Sequence, residues 1–413
     1  MKETSSQGFK LIQFLSFIAL LSILLANRAA TKIGVGPIYL LDVVILMNVV
    51  SVAGVFFHHI RSFKYAAGLI LMALLWMCYE RSNDLWGDNN LRRAAMAFYS
   101  LLPALVITYG DRLYRVIRER YKILSLLVLL CTLGGFLENL QPTISSQVLA
   151  FFLLVSVFDD QVKGRKKAVS VLVVLICFLL VVSGVSSGGP AYRTPVIGLV
   201  LGLIFSNVAW LFNARKDFYR AVALRNLVGA AVLGVTVLVT LSWHPVVAQF
   251  IAGAAGLAGV EYQAPESVFN RERGDAAGTA ETRTVFWKSI IENAKTSDSI
   301  MLIGNGHFLS FFEKTKPYEG FVDEDLLEPH NSFMGMFYRY GLIGLGLLLA
   351  FVFSMRRKPV TDQGIAFSVA TATLAIVYCF FEVALESPHG ALVFWLVWLA
   401  PIYFSKKTMA ANF

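Results

Sequence analysis

The sequence predicts an all-α polytopic membrane protein of about twelve transmembrane helices with one large outer loop. Three observations carry that prediction. Of 413 residues, 57% are hydrophobic and only 15% are charged, against about 25% charged in a typical soluble domain. Mean hydropathy is +0.65. The apolar residues come in runs of about 15–24, which suits helices that cross about 30 Å of hydrocarbon at about 1.5 Å per residue. Barrel strands, about 10 residues of alternating pattern, do not fit these runs. The composition excludes an ordinary cytoplasmic enzyme and a disordered chain.

In chain order the candidate spans are 11–26, 38–57, 65–79, 94–110, 123–138, 147–158, 168–186, 196–213, 226–247, 331–354, 364–384 and 391–404. The chain therefore divides into nine spans over 1–247, an outer loop over 248–329, and three spans over 330–413. The first run follows Lys2 and Lys10 but lacks a small-x-small cleavage site, so it reads as a retained span.

Lysine and arginine fix the expected orientation. With the N-terminus cytoplasmic, 22 of them fall in cytoplasmic segments and 6 in the short opposite loops. Both termini are then cytoplasmic and 248–329 faces outward. The net charge of +9 belongs to this topology signal, not to nucleic-acid binding. Cys78, Cys131, Cys177 and Cys379 lie within or at the ends of apolar runs, with no disulfide framework or CxxC metal site.

The outward face gathers the chemistry. Pro329-His330-Asn331-Ser332 stands where the long loop meets the tenth span, followed by Gly341 and Gly344. At about 100° per residue, a straight helix puts Gly341 about 20° and Gly344 about 40° from the His330 direction. Such a stripe admits another helix or a lipid chain against the backbone, and Asn331 or Ser332 caps the helix start. His330 has two readings: an interfacial cap histidine, or a general base working near neutral pH.

Arg193 follows a flexible Ser186–Pro190 stretch, and Arg283 opens an amphipathic segment containing Trp287, Ile290 and Ile291. Guanidinium forks fit phosphate oxygens; the alternative is snorkelling to lipid headgroups, which also accounts for Arg28, Arg81, Arg92 and Arg93. Arg339 falls inside the tenth span, with Glu382 as one partner for it. Gly304-Asn305-Gly306-His307 signals a tight turn. An acidic cluster (Asp323, Glu324, Asp325, Glu328) fits either a cation or a solvated face.

His330-Asn331, nine residues, Gly341, two residues, Gly344 resembles the pattern of the O-antigen ligase and polymerase superfamily of bacterial envelope glycosyltransferases. Pro190-Ala191-Tyr192-Arg193, and Arg283 followed by Trp287 and Gly304-Asn305-Gly306, resemble further features of that family. The resemblance implies transfer of a glycan from undecaprenyl diphosphate to a sugar hydroxyl of lipid A–core, forming lipopolysaccharide at the periplasmic face of the bacterial inner membrane. It implies His330 as catalytic base. Arg193 and Arg283 would be diphosphate-binding, Asn331 orienting, and Gly341 and Gly344 polyprenyl-contacting. No metal, nucleotide or other cofactor is implied, and the partners are the lipid-linked donor, the lipid A–core acceptor and the bilayer. The competing readings are a polymerase of the same superfamily, which extends glycan on the carrier lipid, and a polysaccharide–lipid transporter. The transporter reading lacks a central acid in any span.

Overall fold

The computed structural model describes residues 2–31, 34–35, 38–85, 90–133, 141–158, 164–182, 193–213, 280–307, 331–356, 362–382 and 384–404. In chain order the α-helices are α1 (Lys2–Thr31), α2 (Leu40–Met47), α3 (Val49–His58), α4 (Ile60–Ser82), α5 (Asn90–Phe98), α6 (Leu102–Leu133) and α7 (Pro142–Phe158). They continue with α8 (Gly164–Val182), α9 (Arg193–Asn213), α10 (Ala280–Ala294), α11 (Asp298–Ile303), α12 (Ser332–Ser354), α13 (Asp362–Phe381) and α14 (Pro388–Phe404). Two two-residue strands, Gly34–Val35 and Ile38–Tyr39, pair antiparallel between α1 and α2.

Among the described residues, four segments are long and apolar enough to cross a membrane: Lys10–Ala30, Ile60–Ser82, Ser332–Ser354 and Gly364–Phe381. Pro142–Phe158, Thr194–Ala209 and Pro388–Tyr403 are shorter apolar helices. The ninth expected span, 226–247, lies outside the described residues.

Two expected boundaries are corrected. The span 38–57 is divided at Asn48, whose amide reaches Ser16 Oγ and the Val44 carbonyl, each at 2.7 Å. The loop expected between spans four and five is helical, because α6 runs unbroken through the charged residues Asp111 to Lys122. Arg, Glu and Lys are good helix formers, and no Gly or Pro interrupts them. Beneath the charge lies an apolar stripe of Leu113, Tyr114, Ile117, Tyr121 and Leu124, all buried at three- and four-residue spacing.

α14 is the axis of the bundle. None of its residues 391–400 exposes more than 1% of its surface. Trp395 packs on Phe351 of α12, and Trp398 donates to the Val352 carbonyl at 2.9 Å. Around it, α9 packs along α13 through Gly198 and Gly202; a Cβ at Gly202 would stand 2.9 Å from the Ala370 carbonyl oxygen. α4 packs on α12, with Phe63 and Phe351 rings 5.4 Å apart. On the outside, α8 exposes Val169, Leu172, Ile176 and Leu180. That is an apolar stripe at helical spacing, which suits lipid as solvent.

Candidate functional site

Three helix starts gather at one end of the bundle. Asn331 caps α12: its backbone is extended (φ −159°, ψ 110°), and its side-chain oxygen accepts from the Phe333 and Met334 N–H groups at 3.0 and 3.1 Å. Such a cap is worth about 1 kcal/mol. Ser332, fully buried, donates to Glu386 Oε2 at 2.6 Å and accepts from the Leu385 N–H at 3.0 Å. The start of α12 is thereby fastened to the α13–α14 loop.

The same loop holds the start of α9. Thr194 Oγ1 donates to Glu382 Oε1 at 3.0 Å, and Arg193 is the first residue of that helix. The third start belongs to α10. Phe286 and Ile290 bury against Tyr338 of α12, with Trp287, Met334 and Phe337 around them. Trp287 also meets Phe380 of α13 edge-on, at 5.2 Å between ring centroids. Arg283 stands in the first turn of α10, three residues before Phe286.

The residues predicted from sequence thus stand as follows. Arg193 and Arg283 open α9 and α10 beside the elements that hold Asn331. His330 and the acidic cluster Asp323–Glu328 lie outside the described residues, directly before Asn331. Gly344 is buried in α12, and a Cβ there would meet the Tyr340 Cβ.

Gly341 departs from the straight-helix geometry. At φ 62°, ψ −162° it interrupts α12, so the phase expected between His330 and the two glycines is corrected. A side chain there would be strained by the backbone conformation and would run into the backbone of Leu302, 2.3 Å away. The end of α11 lies directly against this bare backbone. Gly341 is buried there.

The interruption has a partner. Carbonyls just before a break in a helical ladder need new donors. The Tyr338 and Arg339 carbonyls accept from the Asn305 and Gly306 N–H groups at 2.9 and 3.0 Å. Gly304, at φ 78°, lets the 304–307 turn reach them, because a Cβ there would lie 2.3 Å from the Arg339 carbonyl carbon. Asn305 adds two side-chain donations, to the Tyr338 carbonyl at 3.2 Å and to Asn293 Oδ1, at the end of α10, at 3.0 Å.

Behind this turn lies a polar cluster that sequence reasoning missed. Glu80, at the end of α4, and His307 are both completely buried. Glu80 accepts from the His307 N–H and, at 3.0 Å, from Asn90 Nδ2, and faces His307 Nδ1 at 3.3 Å. His307 Nε2 lies 2.7 Å from the Tyr340 hydroxyl. Arg93 Nη1 donates to the His307 carbonyl at 2.8 Å. The headgroup role expected for Arg93 is therefore corrected: it is a buried tie between α5 and the turn. Arg339 is also fully buried in this region. Burial holds His307 below the ordinary imidazole range; Glu80 pulls it upward, and Arg339 and Arg93 add to the fall. The signal available in the sequence was the tight-turn pattern Gly304-Asn305-Gly306; its two glycines take positive φ and deliver His307 into the interior.

Among the described residues there is no group of three His, Cys, Asp or Glu side chains placed to hold a metal ion. No curated protein matches the chain. The O-Antigen ligase family profile matches residues 191–349. That range contains Arg193, Arg283, His330, Asn331, Gly341 and Gly344, and also the 304–307 turn. Residues 191–349 are thus similar to the O-antigen ligase family, in a helical chain whose described residues include four segments long and apolar enough to cross a membrane.

Proposed function

We propose that this protein is an O-antigen ligase of the bacterial inner membrane. It moves a glycan from undecaprenyl diphosphate to a sugar hydroxyl of lipid A–core at the periplasmic face, with both chain termini cytoplasmic. The observation that carries this reading is the convergence of the α9, α10 and α12 starts through Thr194–Glu382, Ser332–Glu386 and Trp287–Phe380. Arg193, Arg283 and the His330-Asn331 pair belong to those starts, and the family match spans all of them.

In the proposed reaction the acceptor hydroxyl oxygen attacks the anomeric carbon. The bond from that carbon to the diphosphate oxygen breaks, its electron pair leaves with the diphosphate, and the configuration inverts. His330 takes the hydroxyl proton as general base. Arg193 and Arg283 bind the diphosphate and stabilise the charge it gains. The partial positive charge at the starts of α9 and α12 acts in the same direction. Asn331 sets the entry of the chain into α12 and with it the place of His330. Two guanidiniums and two helix starts supply the positive charge a metal ion would otherwise bring, and the diphosphate leaving group removes the need for ATP.

The test offers the purified protein lipid-linked glycan with and without lipid A–core. Glycan on the core is the expected product. Longer lipid-linked chains formed without the core would identify a polymerase instead, and movement of substrate across liposomes without a new glycosidic bond would identify a transporter.

A further inference from the structure

We propose that Glu80, His307 and Tyr340 form a positioning unit that sets where α10, and with it Arg283, stands relative to the start of α12. The proposal rests on the ligase reading for its kinetic arm only.

The attachments of α10 motivate it. In its first half, α10 packs Phe286 and Ile290 on Tyr338, and Trp287 meets Phe380 of α13. Apolar contacts of this kind are non-directional. Its C-terminal end is hydrogen-bonded to the 304–307 turn. Asn293 meets Asn305, Asn305 bonds the Tyr338 carbonyl, and Gly306 bonds the Arg339 carbonyl. Trp76 of α4 donates to the Ile303 carbonyl at 3.1 Å. Arg283 lies ten residues before Asn293, about 15 Å along the helix axis. A small rotation at the turn is therefore amplified at position 283, and a misplacement of about 1 Å can cost about 100-fold in rate.

The chemistry of the three side chains gives the turn a single orientation. An ionised Glu80 can only accept, so the Nδ1 that faces it carries the imidazole proton. Nε2 is then an acceptor, and the Tyr340 hydroxyl donates to it. The chain Tyr340 O–H to Nε2, Nδ1–H to Glu80 runs from α12 through the turn to α4. All three side chains are fully buried, so none of them touches substrate, and each acts through the helices it joins. Releasing one leaves buried polar atoms without their partner, which favours other placements of the turn.

Tyr340→Phe removes one hydroxyl and keeps the ring; His307→Ala removes the whole link. Spin labels are placed at Lys288→Cys on α10 and Leu342→Cys on α12, both exposed positions, after Cys78 and Cys131 are replaced by serine. The intact unit gives one narrow label-to-label distance distribution, and both variants broaden it. Both variants also lower kcat/KM for the lipid-linked donor by about tenfold, mostly through KM, and leave the acceptor KM unchanged. An unchanged distance distribution in folded Tyr340→Phe and His307→Ala protein overturns the proposal. So do donor and acceptor parameters that fall together with the amount of folded protein. A wild-type protein that transfers no glycan defeats the ligase reading alone; the distance distributions then decide the positioning role by themselves.

Discussion

Thr194 donates a hydrogen bond to Glu382 at 3.0 Å, although 188 residues separate them. Glu382 ends the α13 side of the loop whose other carboxylate, Glu386, accepts from Ser332 at 2.6 Å. Two elements far apart in sequence are thereby registered against one short loop. Each contributes a residue type suited to phosphate or proton transfer: Arg193 just before Thr194, and His330 two positions before Ser332.

Breaking that registration is expected to weaken transfer without dissolving the bundle. Thr194→Val and Glu382→Gln each remove or weaken a hydrogen bond worth about 1 kcal/mol in stability. Each is expected to lower transfer to lipid A–core by about tenfold, the rate equivalent of about 1.4 kcal/mol. Thermal midpoint in detergent and initial transfer rate, measured on the same preparation, check both effects.

The guanidiniums are expected to be costlier to remove. Arg193→Ala and Arg283→Ala should each lower transfer by about 100- to 1,000-fold, the range seen when one preorganised charge-stabilising donor is deleted. Arg→Lys at either position is expected to recover only part of this, because an ammonium cannot fork onto two phosphate oxygens. Donor titrations with each variant give the measurement.

Gly341 and Gly346 make a paired test of the interrupted helix. Gly341→Ala places a side chain at φ 62° and 2.3 Å from the Leu302 carbonyl carbon. It is expected to destabilise by about 1–3 kcal/mol or more. A Cβ at Gly346, just over one turn on, would meet no heavy atom within 4 Å. Gly346→Ala is expected to stabilise by up to about 1 kcal/mol through helix propensity. Thermal unfolding should therefore move in opposite directions for the two.

The buried imidazole gives stability a pH dependence of definite sign. His307 has a folded pKa below its ordinary value of 6.5, through burial and the nearby Arg339 and Arg93, with Glu80 opposing. The unfolded chain then binds more protons, so stability rises with pH. The contribution is complete above about 6.5 and is lost as pH falls from there through the folded pKa. Thermal midpoints should decline on acidification across that window, and less so in His307→Ala.

The apolar helices and the likeness of residues 191–349 to the O-antigen ligase family were legible in the sequence, because long apolar runs and the His330–Gly341–Gly344 spacing are local patterns. The continuity of α6 was hidden because Asp111 to Lys122 reads as a charged break, while the apolar stripe under it shows only at helical spacing. The kink at Gly341 was hidden because a glycine in an apolar run does not announce its φ. Glu80 and Arg93 lie on consecutive helices, 227 and 214 residues before His307. Each alone looks like an interfacial polar residue, and only the turn at 304–307 brings them together.

The ligase reading stands or falls on His330. Purified wild-type and His330→Ala protein, expressed and folded to the same level, are offered lipid-linked glycan and lipid A–core. Glycan on the core is expected with wild type, and a loss of about 100- to 10,000-fold with the variant, the range for removing a general base. Undiminished transfer by His330→Ala would refute the general-base role and the reaction built on it.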